Sequence, residues 1–121
     1  DIAANDQVVL RPGESAKVAT GTCIEVPKDY VAELVPRSSS GDKKYRLANT
    51  IGYIDSDFRG DIKMYIENTG KTEFVIYPGD YLCQLIVKKK EDVVFKKKTS
   101  LTETKRGAGE FGSTDAKNEI V

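Results

Sequence analysis

Histidine is absent from this 121-residue sequence and cysteine occurs only twice. With no histidine and no cysteine pair at ligand spacing, a zinc or transition-metal centre is not expected. A magnesium ion bound mainly through a phosphate ligand needs no such signature and stays open. Cys23 and Cys83 each lie in an apolar run, where a free thiol behaves as a small buried hydrophobe. Two such residues are no disulfide framework, which favours a reducing compartment. No apolar run approaches the length that spans a bilayer, and no stretch combines a basic start with an apolar centre, so a soluble, cytoplasmic protein without membrane association is expected. Net charge is absent as well, with 19 basic and 19 acidic side chains. No global field then favours nucleic acid or an anionic surface, and any anionic ligand must be held locally. The chain opens on Asp1 rather than methionine, so further residues are expected upstream. Its length suits one domain with a real core.

What is present is a series of short strand-like segments punctuated by turns, with no convincing amphipathic helix. Val8–Leu10 runs into Pro12-Gly13-Glu14, and Ala16 and Val18 then alternate with more polar neighbours. Cys23–Val26 and the apolar Tyr30–Val35 follow, the latter stopping at Pro36. Tyr45–Ile51 has the composition of a short helical turn. Leu47–Asp61 predicts a hairpin with Asp55 at its tip, bracketed by Gly52 and Gly60 and returning through Ile62–Ile66. On that return, Ile62, Met64 and Ile66 share one face and Lys63, Tyr65 and Glu67 the other, a strand with one wet side. Phe74–Tyr77 precedes Pro78-Gly79-Asp80, and the nearly continuous apolar run Tyr81–Val87 reads as a fully buried strand. The repeated Pro-Gly-acid pattern is common turn chemistry. Lysines 88–90 and 96–98 around Val93-Val94-Phe95 read as guards on an exposed strand edge and not as a nucleic-acid patch. Turns every eight to twelve residues predict an all-β, antiparallel sandwich or jelly roll. From Thr104 the composition becomes glycine-rich, predicting a β domain over 1–103 and a flexible arm or lid over 104–121.

Four polar features stand out: Arg37-Ser38-Ser39, Asn49 with Asp55, Gln84, and the tail with Arg106 and Ser113-Thr114. Singly, each has a plain explanation as a loop, a turn acid, a satisfied buried amide or a disordered end. Together and in this order they resemble the trimeric dUTPase family, the phage and viral-type members most closely. Val35-Pro36-Arg37-Ser38-Ser39 is similar to the second family motif, Asn49–Gly60 to the third, Leu82-Cys83-Gln84-Leu85 to the fourth and Arg106–Thr114 to the fifth, with Asp1 the last residue of the first.

The resemblance implies a distorted jelly-roll barrel that hydrolyses dUTP to dUMP and pyrophosphate with Mg2+, limiting uracil in DNA and supplying dUMP for thymidylate synthesis. It assigns Asp55 as the base that activates water, with Arg106 beside it among the catalytic groups. Asn49, Gly52, Ile54, Phe58, Met64 and Phe111 would take the uracil and deoxyribose, and the Phe58 ring would exclude a ribose hydroxyl. Arg37, Ser38, Ser39, Gln84, Arg106, Gly112, Ser113 and Thr114 would bind phosphates, and Asp1 would help hold the metal through water. A homotrimer with active sites shared between subunits is implied, each arm closing over a neighbour. Two other readings belong to the same fold. A dCTP deaminase would carry a catalytic Glu where this chain has Ile54-Asp55-Ser56-Asp57-Phe58, and a phage regulator that binds a repressor would carry an insert after the third motif.

Overall fold

The computed structural model describes residues 1–115. The chain divides into two compact units, Asp1–Glu91 and a second that starts at Asp92. Among the described residues the fold is all-β, with antiparallel strands β1 (Ile2–Ala3), β2 (Val8–Leu10), β3 (Ser15–Ala19), β4 (Tyr30–Pro36), β5 (Tyr45–Leu47), β6 (Gly52–Ile54), β7 (Lys63–Asn68), β8 (Phe74–Ile76) and β9 (Tyr81–Lys89). They form three small sheets, ordered β1-β9-β4-β6, β3-β7-β5 and β2-β8, in a distorted jelly roll. Among the described residues no helix is long and apolar enough to cross a membrane.

The alternation along each strand decides what it buries. On β7, Met64 and Ile66 are fully buried while Lys63 and Tyr65 are exposed. Val18 of β3 stands opposite Met64, and Leu47 of β5 opposite Ile66, so the inner face is apolar across all three strands. Ala32 and Leu34 of β4, Ile54 of β6, Cys83 of β9 and Ile76 of β8 complete one continuous core.

The two Pro-Gly-acid sequences fold alike. Gly13 and Gly79 adopt φ values of 82° and 91°, and the amides of Glu14 and Asp80 donate to the carbonyls of Arg11 and Tyr77 at 3.0 Å each. Proline preset at the second position and glycine at positive φ in the third make type II turns. The acid that follows accepts from the first amide of each turn, Glu14 from Arg11 at 2.9 Å and Asp80 from Tyr77 at 2.8 Å. Same chemistry, same turn, no duplication required.

Several local expectations are corrected. The stretch around Asp55 is not a hairpin: β6 pairs with β4, whereas β7 lies between β3 and β5. Residues 55–62 therefore cross from one sheet to another. Tyr45–Leu47 is a strand and not a helical turn, because Tyr45 and Leu47 bury against β7 while Arg46 pairs across to Glu67. Among the described residues the one helical segment is a 3-10 turn at Ser38–Ser40. Cys23–Val26 forms no strand, and Cys23 is exposed while Cys83 is buried. The run Tyr81–Val87 is buried only at Leu82 and Cys83; Tyr81, Ile86 and Val87 are exposed. Val93–Phe95 is not a strand edge but exposed, irregular chain in the second unit.

Candidate active site

Where residues 55–62 leave one sheet for the other they open a pocket of about 550 Å³. Its walls come from both sheets: Leu34 of β4 and Gly52 to Ile54 of β6 on one side, Lys17 of β3 with Lys63 and Tyr65 of β7 on the other. The crossing segment supplies Asp55, Phe58, Gly60 and Asp61, and the loop before β6 supplies Asn49.

Each of these is placed by a local cause. Buried Ile54 pins the end of β6, so Asp55, the next residue, emerges exposed at the mouth. The Phe58 amide donates to the Asp55 carbonyl at 3.1 Å, closing a turn. Arg59 clamps that turn from outside, donating to the carbonyls of Ser56 at 2.7 Å and Phe58 at 3.0 Å while meeting Glu25 at 3.1 Å. The far end is held by Ile62, whose carbonyl accepts from the Thr20 hydroxyl at 2.6 Å and whose amide donates to Thr22 at 2.9 Å. Gly52 forms part of the floor: a Cβ there would stand 3.3 Å from Leu34 and 3.5 Å from the Asn49 amide nitrogen, so the missing side chain lets that amide approach the backbone.

Among the described residues the Asp55 carboxylate makes neither a hydrogen bond nor an ion pair. An exposed, uncommitted carboxylate at the rim of a largely apolar pocket is free to accept a proton from water held there. Lys17 sits with its ammonium 5.6 Å from the Tyr65 ring centre, a cation–π contact on the outer wall. Asp61 accepts only a long 3.4 Å bond from the Thr20 amide, and its other oxygen is buried without a partner among the described residues.

A second polar group forms along β4 and its neighbour β9. Arg37 follows β4 directly and caps the 3-10 turn in an extended conformation. Its Nε lies 3.2 Å from the Asp1 carboxylate, its Nη1 donates to the Tyr81 carbonyl at 3.2 Å, and its guanidinium lies over the Tyr81 ring at 5.8 Å. Gln84 donates to the Pro36 carbonyl at 3.1 Å, and Ser38 and Ser39 start the turn beside it. Beneath them, Tyr45 donates its hydroxyl to the Leu82 carbonyl at 2.8 Å. Burial, reinforced by the nearby Cys83, pushes the Tyr45 phenol above its ordinary range and keeps that proton in place.

The sequence-predicted residues thus fall into three places. Asn49, Gly52, Ile54, Asp55 and Phe58 line one pocket. Asp1, Arg37, Ser38, Ser39 and Gln84 gather on the other side of β4: Gly52 pairs with Leu34 and Gln84 with Val35, so the two groups are separated by two strand spacings, about 10 Å of backbone. Arg106, Phe111, Gly112, Ser113 and Thr114 belong to the second unit. There Arg106 donates to the Gly109 carbonyl at 2.7 Å, Gly112 takes a φ of 77°, and Phe111 is 99% exposed.

Met64 requires a correction. It is 0% exposed in the core and does not line the pocket, because β7 turns its even-numbered positions inward. Its neighbours Lys63 and Tyr65 face the pocket instead. Sequence reasoning placed those two on the wet face of a strand without connecting them to the site, and it missed Lys17 and Asp61. The missing signal was the β3–β7 pairing, which sets Lys17 opposite Tyr65.

Comparison with known proteins identifies the family. A sequence profile of the dUTPase family matches residues 1–115. A deoxyuridine 5'-triphosphate nucleotidohydrolase of Rickettsia felis is 43% identical over 115 residues, covering 93% of this chain and 78% of the relative. The protein of the same description from Rickettsia canadensis is 42% identical with the same coverage. The structure of the Staphylococcus bacteriophage 80alpha dUTPase with dUpNHpp superposes with a TM-score of 0.87 over 96% of this chain and 85% of that one, at 22% identity. A Streptococcus mutans dUTPase superposes with a TM-score of 0.73 over 78% and 80%, also at 22% identity. Those two likenesses concern the fold, while the profile and the curated relatives fix the family: the chain belongs to the dUTPase family.

Proposed function

We propose that this enzyme hydrolyses dUTP to dUMP and pyrophosphate in the cytoplasm, with Asp55 as the general base. The observation that carries the reading is the exposed, unpaired Asp55 carboxylate at the mouth of a pocket lined by Asn49, Gly52, Ile54 and Phe58. Asp55 takes a proton from a water molecule as its oxygen attacks the α-phosphorus, and the bond to the bridging oxygen breaks to release pyrophosphate. Uracil enters the pocket over Gly52 and Ile54, with the Asn49 amide supporting it, and the Phe58 ring packs on the deoxyribose face. Lys63 and Tyr65, not Met64, are the β7 residues that border this space.

Arg37 suits a phosphate because its planar guanidinium is already oriented by Asp1, the Tyr81 carbonyl and the Tyr81 ring. Ser38, Ser39 and Gln84 add neutral donors beside it. Arg106, Gly112, Ser113 and Thr114 bring further phosphate donors from the arm, where Arg106 offsets charge on the reacting group, and Phe111 supplies a ring to stack on uracil and exclude bulk water.

Mg2+ fits this donor set. The Asp1 carboxylate is half-exposed beside Arg37, and among the described residues no three ligating side chains cluster. A hard cation that keeps most of its waters needs only one carboxylate when substrate phosphates supply the rest. Asp1 would hold it through water, and the bound ion would neutralise triphosphate charge.

Two observations support a homotrimer with shared sites. Within one chain, β4 separates the Asp55 pocket from the Arg37 group. In the second unit Val94, Phe95, Leu101 and Phe111 are almost wholly exposed, apolar side chains available to a second copy. A second copy offering its Arg37 group, and an arm supplied by another, complete the constellation.

The test is to incubate the purified protein with dUTP and with dCTP in the presence of magnesium. Pyrophosphate release from dUTP without ammonia release from dCTP is expected. Ammonia from dCTP would make it a deaminase, and neither product would leave a binding role such as capture of a repressor. Light scattering at micromolar concentration should give the trimer mass; a monomer mass excludes shared sites.

A further inference from the structure

Gly60 stands at the pocket wall, two residues past Phe58. Its backbone does not require glycine, since Gly60 is not among the positive-φ positions. What requires glycine is the space above it. A Cβ at Gly60 would lie 2.7 Å from Cζ, 3.1 Å from Cε1 and 3.5 Å from Cε2 of Phe58, and those ring atoms are its three nearest neighbours. The outer end of the ring thus rests on the bare Cα of Gly60.

The two partners differ in freedom. The backbone on both sides of Gly60 is held, by Arg59 on the carbonyls of Ser56 and Phe58 and by Thr20 and Thr22 on Ile62. The ring is 43% exposed and bordered by the pocket. If a methyl group is added at Gly60, the ring moves and the backbone stays. We infer that Gly60 is a specificity-determining positioning residue: its missing side chain is the seat that fixes the Phe58 ring at the angle and depth where it meets the sugar.

This rests on the assignment of Phe58 to the deoxyribose made above. On that basis Gly60→Ala tilts the ring off its seat and loosens the wall that rejects a 2′-hydroxyl. kcat/KM for dUTP falls, mainly through KM, while kcat/KM for UTP is unchanged or rises. The preference for dUTP over UTP drops by about tenfold or more, the lower end of what one fitted group contributes to discrimination. A residue that merely supported the fold would lower both substrates alike.

The experiment uses the full chain with 4-fluorophenylalanine at its four phenylalanines, the Phe58 resonance being assigned by its loss in Phe58→Ala. The 19F spectrum and the dUTP and UTP kinetics are recorded for the wild type, Gly60→Ala, Phe58→Ala and the double variant. The inference expects a shifted Phe58 resonance and a reduced preference in Gly60→Ala, with Gly60→Ala adding nothing once Phe58 is Ala. An unmoved resonance overturns the seat, whatever the kinetics. A moved resonance with an unchanged dUTP/UTP ratio overturns the specificity role of Gly60, whereas an unchanged ratio in Phe58→Ala overturns the placing of Phe58 on the sugar. If Gly60→Ala does not fold, recovery of folding in the double variant upholds the contact, and failure to recover refutes it.

Discussion

Asp55 and Arg37 lie on opposite sides of β4 in one chain, and a site built from two copies has a countable consequence. Take Asp55→Asn and Arg37→Gln. The first removes the proposed base and should lower turnover by about 10²–10⁴-fold. The second removes a charged hydrogen-bond donor worth about 1.5–3 kcal/mol, leaving roughly one to ten per cent of activity. Co-expressed in equal amounts and mixing at random in a cyclic trimer, they give about three quarters mixed rings. Every mixed ring has one junction in three where an intact Asp55 meets an intact Arg37, so activity should return to about a quarter of wild type. The signal therefore stands several-fold above the background of either variant. Pyrophosphate release is measured for the co-expressed sample and for the two variants purified separately and mixed cold, which controls for subunit exchange. If both groups act within one chain, every site carries one defect. Activity in the co-expressed sample no higher than the mean of the separate variants would therefore refute a shared site.

Asp55→Asn alone should separate activity from stability. The carboxylate is exposed and makes no bond among the described residues, so the change costs within about 0.5 kcal/mol and shifts Tm by no more than roughly 2–4 °C; equal dUTP turnover in both proteins would sink the role given to Asp55. Asn68 is buried, and its side chain donates to the carbonyls of Leu10 and Thr72 and accepts from Gly70, each at 2.9 Å. Asn68→Ala strands these groups and should cost about 2–4 kcal/mol in urea denaturation; a loss below about 1 kcal/mol would contradict that. Burial pushes the Cys83 thiol from 9.0 up to about 12, so in the native protein at pH 8 iodoacetamide should label exposed Cys23 and spare Cys83, with both labelled in denaturant. The same shift has a sign: the folded thiol stays protonated while the unfolded one ionises, so this contribution to stability is complete below pH 9 and is lost progressively as pH rises to about 12. Native labelling of both thiols at equal rates would count against it.

Sequence alone determined the all-β, antiparallel class, the two type II turns and the inward face of Ile62, Met64 and Ile66, and it singled out Asn49, Gly52, Ile54, Asp55 and Phe58, which line one pocket. Those depend on local chemistry: proline followed by glycine, apolar alternation with period two, and residue types in a fixed order. It could not determine which strands pair, because pairing joins segments far apart in sequence and is settled by which faces the core accepts. So the stretch holding Asp55 reads as a hairpin but crosses between sheets, and Met64 reads as a pocket residue although the parity of β7 sends it to the core. Tyr45–Leu47 reads as a helical turn because its register with β7 lies outside any local window. Tertiary structure alone decided that Lys17, Lys63 and Tyr65 border the pocket, that Gly60 lies under the Phe58 ring, and that β4 holds the Asp55 and Arg37 groups apart. The physical reason is the same in each case: these contacts arise where two sheets meet, and no window of sequence contains both sides.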